Sequence, residues 1–196
     1  MNPIDAKRSL RTAMFARRGA LSEEERDVAA AGLLATMRRE RPIETAGLVS
    51  GLVVSGFWPI KDEIDIRPLM AELHDQGCQL ALPVVQGRGL PLLFRSWRLG
   101  DPLEAGVFGT LQPSAEHKTL EPDALLVPLL ACDAEGWRLG YGGGFYDRTL
   151  LGLRQRRKVT AVGVGFDGQI VPEVPHGPDD QRLDWMLTDR RACAFV

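Results

Sequence analysis

Four apolar runs of strand length, Leu52 to Phe57, Gln79 to Val85, Ala124 to Val127 and Thr160 to Phe166, punctuate the chain. Helical segments separate the first two and the last two. A strand followed by a helix and a second strand returns parallel to the first, and a parallel sheet needs both of its faces covered. The pattern therefore predicts an α/β fold, a three-layer α-β-α sandwich with a mostly parallel central sheet. Asp65 caps the first intervening helix, which runs through Gln76 and is closed by Gly77. The second spans about Tyr146 to Arg154. Gln86 to Gly89 reads as a turn, and the alternating segment Leu92 to Trp97 as a hairpin partner or edge strand.

Two helices precede the first strand. Asn2 and Pro3 form a cap and first position, after which Leu10, Ala13, Met14 and Arg17 recur three or four apart through Arg18. Ser22 and Glu25 have capping-box spacing, and Ala30, Leu33, Leu34 and Met37 form the apolar stripe of the helix they open. Pro42 ends or kinks it.

A chain of 196 residues, 44% hydrophobic and 26% charged, is expected to form one domain from residue 1 to 196 with its own core. Its net charge of −2 provides no positive field for nucleic acid, which is excluded as a main partner. The local basic clusters, such as Arg154, Arg156, Arg157 and Lys158, read as solvated helix faces. Cys78, Cys132 and Cys193 are odd in number and lack paired spacing, which argues against a disulfide framework or a zinc site. No apolar stretch has the length of a membrane span, and the charged start from Asp5 to Arg11 is unlike a secretion signal. A cytoplasmic monomer acting on small molecules is expected.

The chemistry concentrates between Asp133 and Leu150, DAEGWRLGYGGGFYDRTL, where Gly140, Gly142, Gly143 and Gly144 lie between Arg138 and Asp147. Glycine tolerates positive φ and leaves the backbone bare, so successive amides can converge on phosphate oxygens, and the helix beginning near Tyr146 adds its positive end. A hairpin in which glycine serves geometry alone is the competing reading. The neighbours favour the phosphate. Arg138 is a forked donor, Tyr141, Phe145 and Tyr146 offer faces to a heteroaromatic ring, and Asp147 offers a hard oxygen to magnesium. The stretch has neither the P-loop spacing nor that of the dinucleotide fingerprint, where Phe145 stands in place of the third glycine.

Across nearly its whole length the chain resembles the 5-formyltetrahydrofolate cyclo-ligase, or methenyltetrahydrofolate synthetase, family. The resemblance rests on KRSLR at Lys7 to Arg11, DEID at Asp62 to Asp65, LALPVV at Leu80 to Val85, the stretch from Val127 to Leu150, and GPDDQRLDWMLTD from Gly177. It implies ATP-dependent closure of 5-formyltetrahydrofolate to 5,10-methenyltetrahydrofolate, with release of ADP and phosphate. In that chemistry the formyl oxygen attacks the γ-phosphate, and no protein nucleophile is needed. Positioning and charge neutralisation suffice. Accordingly His74, His117 and His176 are expected to be structural or superficial.

Carried over position by position, the resemblance implies that Lys7, Arg8, Ser9, Leu10 and Arg11 contact ATP, although the spacing of Lys7 and Arg11 also suits a plain solvated face. Arg138, Leu139, Gly140, Tyr141, Gly142, Gly143, Gly144, Phe145 and Tyr146 resemble the main ATP-binding stretch, and Tyr141 to Phe145 also touches folate. Asp147 and Asp180 resemble the ligands of Mg2+. Glu63 resembles a folate-contacting glutamate, and a carboxylate can accept from adjacent donors on a pterin edge. Trp58 and Trp97 are candidates for stacking on the folate. Phe145 keeps a ring face where many relatives carry tyrosine. Two other functions remain open from the residues: a nucleotide or folate sensor without turnover, and an ATP-dependent ligase acting on another acceptor.

Overall fold

The computed structural model describes residues 3–40 and 50–195. Two helices come first, α1 (Pro3–Gly19) and α2 (Glu23–Glu40). The expected cap at Asn2 and break at Pro42 lie outside the described residues. The capping box at the start of α2 is formed: the Ser22 amide donates to Glu25 Oε2 at 2.8 Å, and the Glu25 amide to Ser22 Oγ at 3.1 Å. Next come β1 (Val53–Ser55), α3 (Arg67–Asp75), β2 (Gln79–Val85) and β3 (Leu92–Ser96). A small ribbon of β4 (Glu104–Ala105) and β5 (Leu111–Gln112) follows, then β6 (Ala124–Pro128), the hairpin β7 (Ala131–Cys132) and β8 (Arg138–Leu139), and α4 (Phe145–Arg154). The chain closes with β9 (Thr160–Gly165), β10 (Trp185–Thr188) and β11 (Ala192–Ala194).

The central sheet has seven strands in the order β11-β10-β9-β6-β1-β2-β3. The inner five run parallel, and β3 and β11 close the two edges antiparallel. Side-chain alternation along these strands builds two cores, one on each face of the sheet. Leu80 and Leu82 of β2, Leu126 of β6 and Val162 of β9 face α2 and α3, where they meet Leu33, Met37, Leu69, Met70 and Leu73. Ala81, Leu125, Val127 and Ala161 face the opposite way, toward Leu150 and Leu153 of α4. This is the expected three-layer α-β-α sandwich with its mostly parallel sheet. Helix α1 belongs to neither face. Through Met14 it packs on Leu130, Leu139 and Val174, beside the β7–β8 hairpin. No helix among the described residues is long and apolar enough to cross a membrane.

Most boundaries fall within a residue of the sequence reading, and two of the differences have a clear physical cause. The first run narrows to Val53–Ser55 because the chain turns away at Gly56, where a Cβ would lie 2.2 Å from the Met70 sulfur. Helix α3 begins at Arg67 with Ile66, not Asp65, at its N-cap. Asp65 instead accepts from the Arg67 amide two residues on, at 2.9 Å, and pairs with the Arg67 guanidinium at 2.7 Å. Gly77, at φ +89°, closes this helix as its sequence implied.

Candidate active site

Strand β1 has β2 on one side and β6 on the other, so the chain leaves this part of the sheet in two directions. A crevice at the carboxyl ends of the strands is the consequence. A cavity of about 740 Å3 occupies it. Its floor comes from the strand ends: Phe57 and Trp58 beyond β1, Pro83 and Val85 of β2, and Pro128 of β6. Lys7 and Arg11 of α1 reach in from one wall, and every residue from Arg138 to Asp147 contributes to another. A volume of this order accommodates a ligand of nucleotide or folate size.

Three of the glycines of that wall, Gly142, Gly143 and Gly144, are required by geometry, whereas Gly140 has open space around it. Gly142 (φ +97°) and Gly144 (φ +64°) are left-handed, and Gly144 is the N-cap of α4. A Cβ on Gly143 would meet the Phe145 ring at 2.6 Å, and one on Gly144 would meet the Arg148 guanidinium at 2.7 Å. Arg11 Nε donates to the Gly140 carbonyl at 3.0 Å and Arg148 Nη2 to that of Gly143 at 2.7 Å, so two cations fix the turn from outside its amide edge. No side chain caps the N-terminus of α4. The positive end of that helix faces the cavity edge with no side-chain cap among the described residues.

Charges of both signs meet here. The Arg138 side chain, only 4% exposed, pairs with Asp147 at 2.7 Å and also donates to the Gln181 carbonyl. Asp147 Oδ1 accepts in addition from the Gln181 amide at 3.0 Å. Lys7 Nζ lies 2.5 Å from Asp180 Oδ2, which also accepts from the Gly177 amide at 2.6 Å. Both ends of the chain thus meet at one site, and each expected metal-binding carboxylate sits beside a lysine or arginine. No group of three His, Cys, Asp or Glu side chains among the described residues is arranged as a metal site. Magnesium needs no such cage, because it commonly takes one or two carboxylates and completes its shell with phosphate oxygens and water. Asp147 and Asp180 fit that donor set.

Glu63 lines the same cavity, beside Tyr141 of the glycine-rich wall. Its Oε2 accepts from the Ile60 amide at 2.9 Å, and Oε1 accepts from the Tyr141 hydroxyl. Burial pushes the Glu63 carboxyl above its usual range, while the Tyr141 hydroxyl, the Ile60 amide and the charges of Arg18 and Lys61 pull it back. Trp58 also lines the cavity. Phe145 approaches Phe108, whose ring centroid is 6.0 Å away, at the rim.

Some sequence candidates stand elsewhere. Arg8 and Ser9 are exposed and Leu10 packs toward the α1 core, and none of the three lines the cavity. Trp97 is buried, donates its indole N–H to the Asp101 carbonyl at 3.2 Å, and meets Trp58 edge-on at 5.8 Å. It supports Trp58 from behind. The histidines lie outside the lining, and Cys132 is buried with its thiol pushed up to about 12, chiefly by desolvation. Neither residue type offers a nucleophile here. Sequence reasoning missed Phe57, Phe108 and Arg18. The signal for Arg18 was present, because positions 7, 11, 14 and 18 share one face of α1.

The model of the "5-formyltetrahydrofolate cyclo-ligase family" matches residues 3–189. The 5-formyltetrahydrofolate cyclo-ligase of Mycolicibacterium smegmatis is 34% identical over 195 residues, covering 95% of each chain. That of Escherichia coli is 34% identical over 133 residues, 65% of this chain and 72% of its own. Among solved structures, a 5,10-methenyltetrahydrofolate synthetase from Aquifex aeolicus superposes with a TM-score of 0.77 at 30% identity, covering 96% of this chain and 92% of that one. A synthetase of the same name from Mycoplasma pneumoniae shares the fold with a TM-score of 0.73 at 22% identity, covering 97% and 100%. The likeness extends from α1 to the last parallel strand and so includes both ends of the chain that build the cavity: this protein belongs to the 5-formyltetrahydrofolate cyclo-ligase family.

Proposed function

We propose that this cavity closes 5-formyltetrahydrofolate to 5,10-methenyltetrahydrofolate with conversion of ATP to ADP and phosphate. The observation that carries the reading is the junction of Lys7, Arg11 and Arg138 with the bare amides of Gly142 to Gly144 and the N-terminus of α4. Cations, amides and a helix end around one concavity suit a triphosphate. Lys7 and Arg138 are held by Asp180 and Asp147 until phosphate enters. The folate is assigned to the end with Glu63, Trp58 and Tyr141, where an acceptor-only carboxylate can receive the donor edge of the pterin.

The reaction needs the formyl oxygen in line with the γ-phosphorus. That oxygen attacks phosphorus as the bond to ADP breaks; the N10 lone pair then adds to the activated carbon, and phosphate departs with the former formyl oxygen as N10 loses its proton. The protein's contribution is alignment and charge stabilisation in a site shielded by Phe57, Phe108 and Phe145. Asp147 and Asp180 would hold Mg2+, which neutralises charge developing on the phosphates.

An isotope experiment tests this route. With substrate carrying heavy oxygen in the formyl group, mass spectrometry of the released phosphate should find the label there, one atom per turnover. Unlabelled phosphate, its fourth oxygen taken from water, would mean that ATP is hydrolysed without activating the formyl group, and would reject the route.

A further inference from the structure

Arg18 is the buried charge that the reading above leaves unused. It is 2% exposed, lies outside the cavity lining, and has no carboxylate partner among the described contacts. Its Nη1 donates to the Tyr141 hydroxyl at 2.7 Å. Nε and Nη2 are buried without a hydrogen-bond partner among the described residues, and the guanidinium carbon lies 5.8 Å from the Phe15 ring centroid and 5.6 Å from that of Tyr141. Burying a guanidinium this incompletely satisfied is costly, and an apolar side chain would fill the place without that cost.

A guanidinium donates and never accepts. Tyr141 must therefore accept from Arg18, and its single hydroxyl proton is directed to Glu63 Oε1. The Ile60 amide fixes Oε2 at 2.9 Å. We propose that Arg18 is a positioning residue: by making Tyr141 a one-way donor, it holds the Glu63 carboxylate in a single orientation toward the donor edge of the reduced folate. The inference rests on the folate assignment of Glu63.

The charges around Glu63 define how this should appear in solution. Arg18 faces it from α1, Lys61 from its own loop, Tyr141 from the glycine-rich turn and Tyr146 from α4. Burial already favours the protonated acid, and both Arg18 and the Tyr141 hydroxyl oppose that tendency. Removing Arg18 lets the proton stay on Glu63 to higher pH. The acidic limb of kcat/KM for the folate should therefore move upward.

The test is steady-state kinetics against pH for Arg18→Met, with Arg18→Lys as the conservative rescue and Tyr141→Phe as a second break in the relay that leaves Arg18 in place. Arg18→Met should raise KM for 5-formyltetrahydrofolate roughly tenfold and leave KM for ATP within about twofold, the size expected for losing one charge-assisted bond. Its acidic limb should move to higher pH, Tyr141→Phe should move it likewise, and Arg18→Lys should restore much of the folate KM. Glu63→Gln should raise the folate KM and abolish the limb. If Glu63→Gln has that effect while Arg18→Met and Tyr141→Phe leave limb and folate KM unchanged, this inference fails alone. If Glu63→Gln leaves the folate KM unchanged, the folate assignment fails and the inference with it.

Discussion

Arg138→Ala is expected to lower kcat/KM for ATP by roughly a thousandfold, the scale on which a charge-stabilising donor acts in phosphoryl transfer. The guanidinium is almost wholly enclosed, at 4% exposure, and its hydrogen bonds to Asp147 and Gln181 fix its plane at the cavity wall. Alanine removes the fork and leaves Asp147 to repel the incoming phosphates. The fold should survive. Asp147 retains 24% side-chain exposure, so its charge is partly hydrated and the loss of stability should stay below the roughly 3–5 kcal/mol of a fully buried broken pair. Lysine at the same position keeps the charge but not the fork, and should recover only part of the activity. Kinetics with ATP as the varied substrate, alongside a urea unfolding curve, would separate the two effects.

Asp147→Asn is expected to lower kcat by about a hundredfold while KM for the folate changes by less than about twofold, because the charge on this group is needed where phosphate charge develops. Asparagine has the same shape and keeps an oxygen able to accept from Arg138 and the Gln181 amide, so the local fold is retained. A matching loss of apparent affinity for Mg2+, read by titrating the ion at fixed ATP, would tie the effect to the metal. Unchanged turnover would remove Asp147 from the metal site.

The central architecture was legible because its strands are short, mostly apolar runs and its helices carry the 3.6-residue period. Gln79–Val85 is the strand the sequence marked, and Phe145–Arg154 begins one residue before the expected helix. The C-terminal pair β10 and β11 was not, since Trp185–Thr188 and Ala192–Ala194 are short and flanked by charged residues that obscure strand alternation. Those charges have local work. Asp184 accepts from the Ala161 amide at 2.7 Å and from Arg154 at 2.8 Å, and Asp189 accepts from the Asp167 amide at 2.7 Å.

At the site, glycine spacing and the flanking Arg138 and Asp147 reveal the phosphate wall because the positive φ angles and close approaches there demand glycine in the chain itself. Long-range partnerships leave no such local mark. Nothing near Lys7 announces Asp180, 173 residues away, and nothing near Tyr141 announces Glu63, 78 residues away. Trp58 and Trp97 look equivalent in sequence, yet the turn after β1 puts one at the cavity while β3 carries the other into the core. The buried Asp133 is a further case. Its two oxygens collect the amides of Glu135, Trp137 and Val174, and so join the hairpin before the glycine-rich turn to the segment leading to Asp180.

The most direct measurement is to mix the purified protein with Mg2+, ATP and 5-formyltetrahydrofolate in mildly acidic buffer and follow the near-ultraviolet absorbance of the conjugated methenyl product. The account predicts a rise that requires protein, Mg2+, ATP and folate together, and a parallel release of ADP. No rise in the complete mixture, with calorimetric binding of ATP intact, would contradict it and leave a nucleotide-binding protein that acts on another acceptor or on none.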